Sequence, residues 1–359
     1  MLRSIRLPLL VSLTLMLFSC SPDTQHTTDE AVVLYTSADD TFARMVVAQF
    51  TKDTGIQVAI VGDTEATKTT GLVTRLQAES MNPQADVWWS SEPFGTMDLA
   101  ESAALLPEGM RDIVPSDWPE ELIAEDASWV GFASRARVIA YATDRVSNPP
   151  TTLREFAQPA WKDRIGMARP EFGTTRGHMG ILVNQWGMTE FSRWLGMLVN
   201  NNIRLYDGNA SVVRAIAMGE IDVGLTDTDD VWSGQRNGWQ VDCVYDAFDS
   251  PMNLDTLGSR GPVLIPNTVG IISGAPHPLL AQQLAAYLIS PAVETLLAQS
   301  DSRNMPANPQ LVELFNSIAP DSLTKGDPNR FLGQSIYPHF SDAKSSIPAA
   351  LDECDLHLP

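Results

Sequence analysis

Short apolar runs alternate with segments of helical period along much of the chain, and this alternation constrains the fold most. The first run covers residues 32–35, and Phe42, Met45, Val46 and Phe50 then fall on one helical face. The same order recurs after the apolar runs at 56–61, 85–89 and 165–168. Repeated strand–helix units predict an α/β fold built on parallel sheets with right-handed crossovers.

Two β-rich runs, residues 129–143 and 261–273, are longer than a typical strand of about 5–6 residues. We expect them to pass between two α/β lobes, near residues 133 and 261. The predicted boundaries place lobe 1 at 31–133 plus 261–300, lobe 2 at 134–260, and C-terminal helices with a tail packing on the lobes at 301–359. Loops from the strand ends would then line a cleft between the lobes.

The charge balance argues against nucleic acid as a partner. The chain of 359 residues has a net charge of −20 at pH 7, and no basic face that could overcome phosphate repulsion is evident. Its hydrophobic content of 44% and charged content of 19% are those of a globular protein with ample core material. Such an acidic protein suits cationic or neutral partners.

The N-terminus predicts export. Arg3 and Arg6 precede an apolar run at 7–18, which is too short to span a bilayer but has the length of a secretory signal. The run ends in Leu-Phe-Ser-Cys at Cys20, which resembles a lipobox. We therefore expect a lipoprotein signal peptide at 1–20, lipidation of Cys20, and a polar tether at 21–30. The alternative is an ordinary signal peptide cut nearby.

Two cysteines remain after Cys20. Cys243 and Cys354 could form one disulfide in an exported protein, but spacing alone cannot show contact. Cys243 lies in an apolar strand-like run, so a buried free thiol is an equal alternative.

An acidic loop closes one apolar run in the second half of the chain. The stretch IDVGLTDTDDVW at 221–232 ends a predicted strand in Asp227, Asp229 and Asp230. Loops beyond the carboxyl ends of strands bind ligands in open α/β sheets, and three carboxylates there would hold a cation or an ammonium group. The alternative is that these acids cap a helix and are otherwise solvated.

Hydrogen-bond donors accompany these acids. Thr174 and His178 lie in GTTRGH, which opens a predicted helix, and free backbone N–H groups at a helix start could hold an anion. Glu65, Thr67 and Lys68 lie at a similar helix start. Each has a plainer interpretation, since a lone histidine is more often a helix-start or core residue and Glu65 more often a solvated acid.

Arg135 and Arg137 lie two apart on the first long strand, and therefore on one face of it. They could contact a ligand or form salt bridges between the lobes, and the second role is the more frequent. Trp88 and Trp89 alternate faces, so we expect Trp88 in the core and expect that Trp89 could reach the cleft.

Several phrases resemble the periplasmic solute-binding proteins of ABC importers, specifically the ferric-iron-binding type, over about residues 32–298. The phrases are VVLYTSADD, PQADVWWSSEP, YDGNASVVRAIAMGEIDVGLTDTDD and LIPNTVGIISGAPHPLLAQQLAAYLISPAVE. The resemblance implies a periplasmic-binding-protein-like fold of type II, whose two α/β lobes close on a ligand and deliver it to a permease in the inner membrane.

The departures from that family concern the ligand set. Asp229 and Asp230 occupy a slot that usually holds two adjacent tyrosines in ferric binders of this type. Asp39 and Asp40 stand in a slot that often carries a His-Tyr or His-Lys pair, and Glu92 or Ser91 lies near a slot that often supplies a glutamate. Carboxylates favour hard cations and would equally bind an organic ammonium.

The resemblance and the residues together predict a solute-binding lipoprotein in the periplasm, monomeric and without a cofactor other than its bound solute. The solute would be a metal ion, iron or another hard cation with or without a synergistic anion, and the alternative is an organic cation or zwitterion such as an aminophosphonate. A sensor role fits equally well. An enzyme is disfavoured because no Gly-x-Ser-x-Gly, His-Glu-x-x-His or phosphate-binding loop occurs. The candidate metal ligands are Asp39, Asp229 and Asp230, and the candidate ligand-binding set is Asp39, Asp40, Glu65, Thr67, Lys68, Glu92, Arg135, Thr174, His178, Asp227, Asp229 and Asp230.

Overall fold

The predicted alternation is present in the computed structural model, which describes residues 31–63, 69–245, 262–311, 313–314, 317 and 337–359. The strands are β1 (Val32–Thr36), β2 (Val58–Gly62), β3 (Val87–Ser90), β4 (Trp129–Ala142), β5 (Ile165–Ala168), β6 (Arg204–Tyr206), β7 (Val223–Asp227), β8 (Val241–Tyr245) and β9 (Leu264–Ile271). The helices are α1 (Asp40–Thr54), α2 (Thr70–Ala78), α3 (Pro93–Glu101), α4 (Leu153–Phe156), α5 (Gly173–Trp186), α6 (Met188–Asn200), α7 (Asn209–Ala217), α8 (Thr228–Arg236), α9 (Pro278–Leu288), α10 (Pro291–Gln299) and α11 (Phe340–His357). Short 3-10 turns lie at Glu120–Leu122, Pro159–Trp161 and Pro309–Leu311.

The strands follow the order β2-β1-β3-β9-β4-β7-β5-β6, and β8 also pairs with β4. Pairing is parallel between β1 and its neighbours β2 and β3, and between β5 and its neighbours β6 and β7. The long strands β4 and β9 are antiparallel to their neighbours. The parallel pairing predicted from the sequence is therefore present within each lobe. The long strands β4 and β9 add antiparallel pairs at the centre of the sheet.

Strand β4 joins the two α/β lobes. Its first part pairs with β9 from Trp129 to Ala136, and its second part pairs with β7 from Arg137 to Tyr141. The pairing register shifts between Phe132 and Arg135. This bulge marks the change from one half of the sheet to the other, close to the crossing that the sequence predicts at residue 133. The exact lobe boundaries remain predictions.

The helix faces predicted to point inward are buried. Val46 and Phe50 of α1, and Leu72, Val73 and Leu76 of α2, belong to the core of lobe 1. Burying such an amphipathic face supplies most of the stability of a helix in a globular protein. Both Trp88 and Trp89 are buried, so the preference for Trp88 as a core residue is confirmed.

The C-terminal segment is more regular than the sequence indicated. Its Ser- and Pro-containing composition suggests an irregular tail, yet α11 runs over 18 residues with Pro348 inside it. Gly180 of α5 permits this packing, because a side chain there would collide with Ile347 and with the backbone of Ala343. The tail is therefore a helix docked on α5, and its neighbours override the local sequence preference.

Cys243 and Cys354 are both free and buried, as in the second of the two alternatives. None of the described helices is long and apolar enough to cross a membrane. The predicted signal peptide, Cys20 and the tether lie outside the described residues.

Candidate functional site

A cavity of about 120 Å³ lies where loops from both lobes meet. Lobe 1 contributes Asp39 after β1 and Ser91 after β3, together with Trp89. Lobe 2 contributes the loops that follow β5, β6 and β7. The cavity therefore lies beyond the carboxyl ends of five strands, where α/β sheets bind ligands.

Asp227 accepts four side-chain hydrogen bonds at the site. It ends β7 and is 2% exposed. Its Oδ1 accepts from Arg137 Nη1 at 2.7 Å, and its Oδ2 accepts from Thr174 Oγ1 at 2.6 Å, Asn209 Nδ2 at 2.9 Å and Arg135 Nε at 3.3 Å. Burial alone would raise the pKa of Asp227, but the charges of Arg137 and Arg135 outweigh it and lower that pKa.

These four donors satisfy both oxygens of the Asp227 carboxylate, so its main role is internal. It holds two buried guanidinium groups in place and neutralises part of their charge. The two arginines therefore pair within lobe 2 rather than across the lobes. Thr174 and Asn209 supply the remaining donors to the Asp227 carboxylate, whereas Arg137 Nη2 is buried without a hydrogen-bond partner.

Arg135 lines the cavity. Its Nε lies 3.3 Å from Asp227 Oδ2 and 3.7 Å from Asp229 Oδ2, and the residue is 5% exposed. Burial alone would lower the pKa of Arg135, but Asp227, Asp229, Asp39 and Asp230 together raise it. Acids of both lobes thus face this guanidinium from opposite sides of the cavity.

Asp227, Asp229 and Asp230 each place one carboxylate oxygen within 4.8 Å of the other two. Asp229 and Asp230 are half-buried in the first turn of α8 and line the cavity, and Asp39 lines it from the N-cap position of α1. All three predicted metal ligands therefore line the cavity, but the acids near enough to share one ion are Asp227, Asp229 and Asp230, and Asp39 is not among them. Carboxylate oxygens are the ligands that hard cations such as Mg²⁺, Ca²⁺ and Mn²⁺ prefer.

Two helices point their N-termini at the cavity without a side-chain cap. Helix α5 begins after Phe172 and α7 after Gly208, and neither residue caps its helix through a side chain. Gly173, Thr174, Asn209 and Ala210 from these first turns line the cavity. Uncapped helix N-termini attract anions through their free N–H groups and the helix dipole.

Three of the predicted ligand residues, Asp40, Glu92 and His178, do not line the cavity. Asp40 is exposed, and its Oδ2 accepts from Arg44 Nε at 2.7 Å on the outer side of α1. Glu92 is buried and caps α3 by accepting from the backbone of Phe94 and Gly95. Neither residue lines the cavity, because one faces solvent and the other faces its own helix.

His178 is also absent from the lining. It is buried on the second turn of α5, and its Nδ1 lies 3.4 Å from Arg137 Nε. Burial and the charge of Arg137 lower the pKa of His178 well below its ordinary value. The ring is thus a neutral acceptor that supports Arg137. Glu65, Thr67 and Lys68 lie outside the described residues.

Several lining residues were not predicted. Asp207 and Asn209 follow β6, Asn267 lies in β9, and Asn304 lies in the loop after α10. The Asp-Gly-Asn sequence between the 203–206 run and the next helix carries the same signal as the acidic loop, a polar turn between a strand and a helix. Asn267 and Asn304 had no such signal, because their place depends on the crossing of the chain.

A family model described as "Bacterial extracellular solute-binding protein" matches residues 32–300. Iron uptake protein A1 of Synechocystis sp. is 26% identical over 276 residues, which is 76% of this chain and 74% of that protein. A putative 2-aminoethylphosphonate-binding periplasmic protein of Salmonella typhi is 22% identical over 274 residues, 73% of each chain.

The fold is also similar to that of solved structures. The apo ferric ion-binding protein A of Pasteurella haemolytica superimposes with a TM-score of 0.73 at 20% identity. The match covers 91% of this chain and 97% of that one. At this identity the likeness shows a shared fold, with two lobes around a ligand cleft.

Proposed function

The chain belongs to the bacterial extracellular solute-binding protein family, and we propose that it captures a hard metal cation in the cleft and delivers it to an ABC permease. Iron is one candidate, since Iron uptake protein A1 and the Pasteurella haemolytica protein are named for iron. The observation that carries the proposal is the convergence of Asp229 and Asp230 with Asp227, opposite Asp39, on one cavity.

The charge balance of the cavity supports a cationic solute. Asp227 is neutralised by its two arginines, whereas the charges of Asp39, Asp229 and Asp230 all act on the guanidinium of Arg135. A bound cation would relieve the repulsion among these acids. Closure of the lobes would then exclude water, which strengthens each contact between cation and carboxylate. Only a solute that contacts both lobes shifts the population towards the closed state.

An accompanying oxyanion would complete this arrangement. Arg135 and the uncapped start of α5 line the same cavity as the acids. They offer donors that a metal ion cannot use, and an anion such as phosphate, carbonate or citrate could bridge them to the metal. We expect added phosphate or citrate to increase metal affinity in the parent protein and to have less effect in Arg135→Gln.

Isothermal titration calorimetry with Mn²⁺, Ca²⁺ and ferric citrate tests the proposal. Asp229→Asn and Asp230→Asn should each weaken binding at least about tenfold, the effect of losing about 1.4 kcal/mol of binding free energy. Asp40→Asn is the matched control and should bind like the parent, because Asp40 lies outside the cavity. Unchanged affinity in both cavity variants would refute the site.

The visible spectrum separates this site from a tyrosinate site. Among the described lining residues none is a tyrosine. If ferric iron binds, we expect no phenolate charge-transfer colour in the purified protein. A salmon-pink iron complex would contradict the assignment of carboxylate ligands.

The second candidate is an organic zwitterion with an ammonium and a phosphonate or phosphate group. The cavity offers both charges such a solute needs, since its acids would bind the ammonium group and Arg135 with the start of α5 would bind the oxyanion. One relative is named for 2-aminoethylphosphonate. Native mass spectrometry with elemental analysis of protein purified from its source separates the candidates, because only the first gives a metal at unit stoichiometry.

We further propose a monomeric lipoprotein, anchored through Cys20, that binds its solute without turnover. The neutral, buried His178 lies outside the cavity lining, which leaves no histidine for acid–base chemistry among the described lining residues. Cys20→Ser should move the protein from the membrane fraction to the soluble fraction. A membrane fraction that is unchanged would argue against the lipid anchor.

A further inference from the structure

The bulge in β4 is held by contacts on every side. Ser134 exchanges both backbone hydrogen bonds with Met305, each at 2.7 Å, and its Oγ lies 2.9 Å from the Tyr337 hydroxyl. Asn267 of β9 donates its side-chain amide to the carbonyl of Ala133. Ala133 itself has a φ of +42°, a left-handed conformation that a residue with a side chain adopts at a cost. The bulge is therefore a conformation imposed by its surroundings.

Glu294 of α10 makes the remaining contact. Its Oε1 accepts from the backbone N–H groups of Ala133 at 2.9 Å and Ala307 at 2.8 Å. Its Oε2 accepts from the N–H of Asn308 at 2.8 Å. The side chain is fully buried. One carboxylate thus ties together α10, the bulge of β4 and the loop after α10.

Both segments that Glu294 holds carry residues of the cavity. Arg135 follows the bulge by two positions, and Asn304 precedes Ala307 by three. Asn304 is buried, and its Oδ1 accepts from Ser302. Immediately beyond Arg135, the backbone N–H of Ala136 donates to Thr228 at the start of α8. A change at the bulge would therefore move Arg135 relative to Asp229 and Asp230.

We propose that Glu294 is a positioning residue for the ligand site, whose carboxylate fixes the lobe-crossing bulge and the loop after α10 and so holds Arg135 and Asn304 in the cleft. The inference rests on the proposed function only in that the cleft binds a solute, whichever solute that is. Among the described residues, the Glu294 carboxylate hydrogen-bonds to the backbone of Ala133, Ala307 and Asn308, none of which lines the cavity, so it acts on the site through these backbone groups.

The charge of this carboxylate gives the arrangement a dependence on pH. Burial raises the pKa of Glu294 to about 7, against the lowering effect of its three N–H donors. The ionised carboxylate can accept all three hydrogen bonds. After protonation one oxygen carries a proton and becomes a donor, which weakens the hydrogen bonds that this oxygen accepts from the backbone.

The other ionisable groups around α10 are engaged elsewhere. Tyr337 faces Glu294, and burial, with the carboxylate's charge contributing, raises the pKa of its hydroxyl. On the described elements packed against α10 the charged and titratable groups are Arg135 and Arg137 with Asp227, Tyr141 with Asp242, Arg44 with Asp40, Tyr287 with Asp53, and the exposed Lys52. The pKa of Glu294 is therefore set by its burial and by its three backbone N–H donors.

Amide hydrogen exchange of the solute-free protein tests the positioning role. We compare the parent with Glu294→Gln, which keeps one acceptor oxygen, and with Glu294→Ala, which removes both. Exchange in the peptides around 131–136 and 304–309 should become at least about tenfold faster in Glu294→Ala, the effect of losing one or more hydrogen bonds of about 1.4 kcal/mol. Glu120→Gln, an exposed glutamate, is the matched control. Parent-like exchange in both Glu294 variants would overturn the proposal.

The test of pH dependence compares the parent with Glu294→Gln, which cannot ionise. Between pH 8 and pH 6 the parent should gain protection in both peptides relative to Glu294→Gln at the same pH, because the closed structure binds the Glu294 proton more tightly than an opened segment does, and Gln does not titrate. A ratio that stays constant across this range would refute the pH dependence.

Mn²⁺ titrations add the functional readout. Parent affinity should fall from pH 8 to pH 6 while that of Glu294→Gln stays flat, and Glu294→Ala should bind about tenfold more weakly. Parent-like Mn²⁺ affinity in Glu294→Ala, with protection lost, would contradict a positioning role. If the parent binds no Mn²⁺, the metal proposal fails and hydrogen exchange still decides the role of Glu294.

Discussion

Asp227 and Glu294 are both buried carboxylates beside the crossing strand, yet their environments are opposite. Asp227 accepts from two guanidinium groups, a hydroxyl and an amide. Glu294 accepts from three backbone N–H groups and pairs with no cation. Burial raises the pKa of either acid, but only Asp227 has positive charges that reverse this effect. The nature of the donors, rather than the degree of burial, decides which carboxylate stays ionised.

The pairing of Asp227 with cations also explains why the three acids of the loop at 227–230 have different roles. Asp227 is paired with the two arginines, so it stabilises the arrangement of the site from within lobe 2. Asp229 and Asp230 follow it into the first turn of α8 and remain at the cavity surface. A loop of three similar acids thus contains one residue with an internal role and two that can contact solute.

The largest expected effect is on Asp227. Asp227→Ala leaves Arg135 and Arg137 buried without a counter-ion, which costs about 3–5 kcal/mol of unfolding free energy. Urea unfolding followed by circular dichroism at neutral pH measures this loss. Asp40→Ala removes an exposed carboxylate with one surface ion pair and should change stability by less than about 0.5 kcal/mol. A loss below about 1 kcal/mol for Asp227→Ala would show that the two carboxylates are energetically alike.

Opposite pKa directions predict opposite pH dependence. The pKa of Asp227 is lowered by folding, so its contribution is present above its unfolded value near 3.9 and is lost as pH falls through the folded pKa. The pKa of Glu294 is raised from 4.5 to about 7. Its contribution is therefore present below 4.5 and is lost as pH rises through about 7.

Glu294→Gln isolates the pH-dependent contribution of Glu294 to stability. The parent should gain unfolding free energy relative to the variant when pH falls from 8 to 5, by on the order of 2–3 kcal/mol. Denaturant unfolding at pH 5, 6, 7 and 8 measures the difference. A difference between parent and variant that is independent of pH would show that Glu294 keeps an ordinary pKa.

The order of elements followed from the sequence because periodicity and strand length are local properties. The run at 129–143 was expected as a long crossing strand, and β4 covers Trp129–Ala142. The alternation at 221–225 predicted a strand that the structure extends to Asp227. Helix α11 was missed because its helicity depends on packing against α5 rather than on its own composition.

The candidate site was predictable where a polar residue directly follows a strand. Asp39, Asp227, Asp229 and Asp230 were found in this way, and each lines the cavity. The sequence could not show that Glu92 caps its own helix or that His178 supports Arg137, because side-chain direction depends on the tertiary contacts. Glu294 gave no signal, since its partners are backbone groups about 13 and 161 residues away in the chain.

The smallest expected effect concerns a single donor to Asp227. Thr174→Val removes the hydroxyl that donates to Asp227 Oδ2 at 2.6 Å and accepts from Asn209 at 2.7 Å, while shape and burial are kept. A hydrogen bond to a charged group contributes about 1.5 kcal/mol, so stability should fall by about that amount. Thr175→Val is the matched control, because its buried hydroxyl makes one long contact, of 3.4 Å, to Asn209.

The same substitution should raise the pKa of Asp227, because a donor to its ionised form is lost. The acid-unfolding midpoint of Thr174→Val should therefore lie at higher pH than that of the parent, and that of Thr175→Val should not move. Equal midpoints in all three proteins would mean that the two arginines and Asn209 keep Asp227 ionised without help from the Thr174 hydroxyl. The contrast with Glu294 would then not depend on this hydroxyl, which would serve to fix the geometry of Asp227.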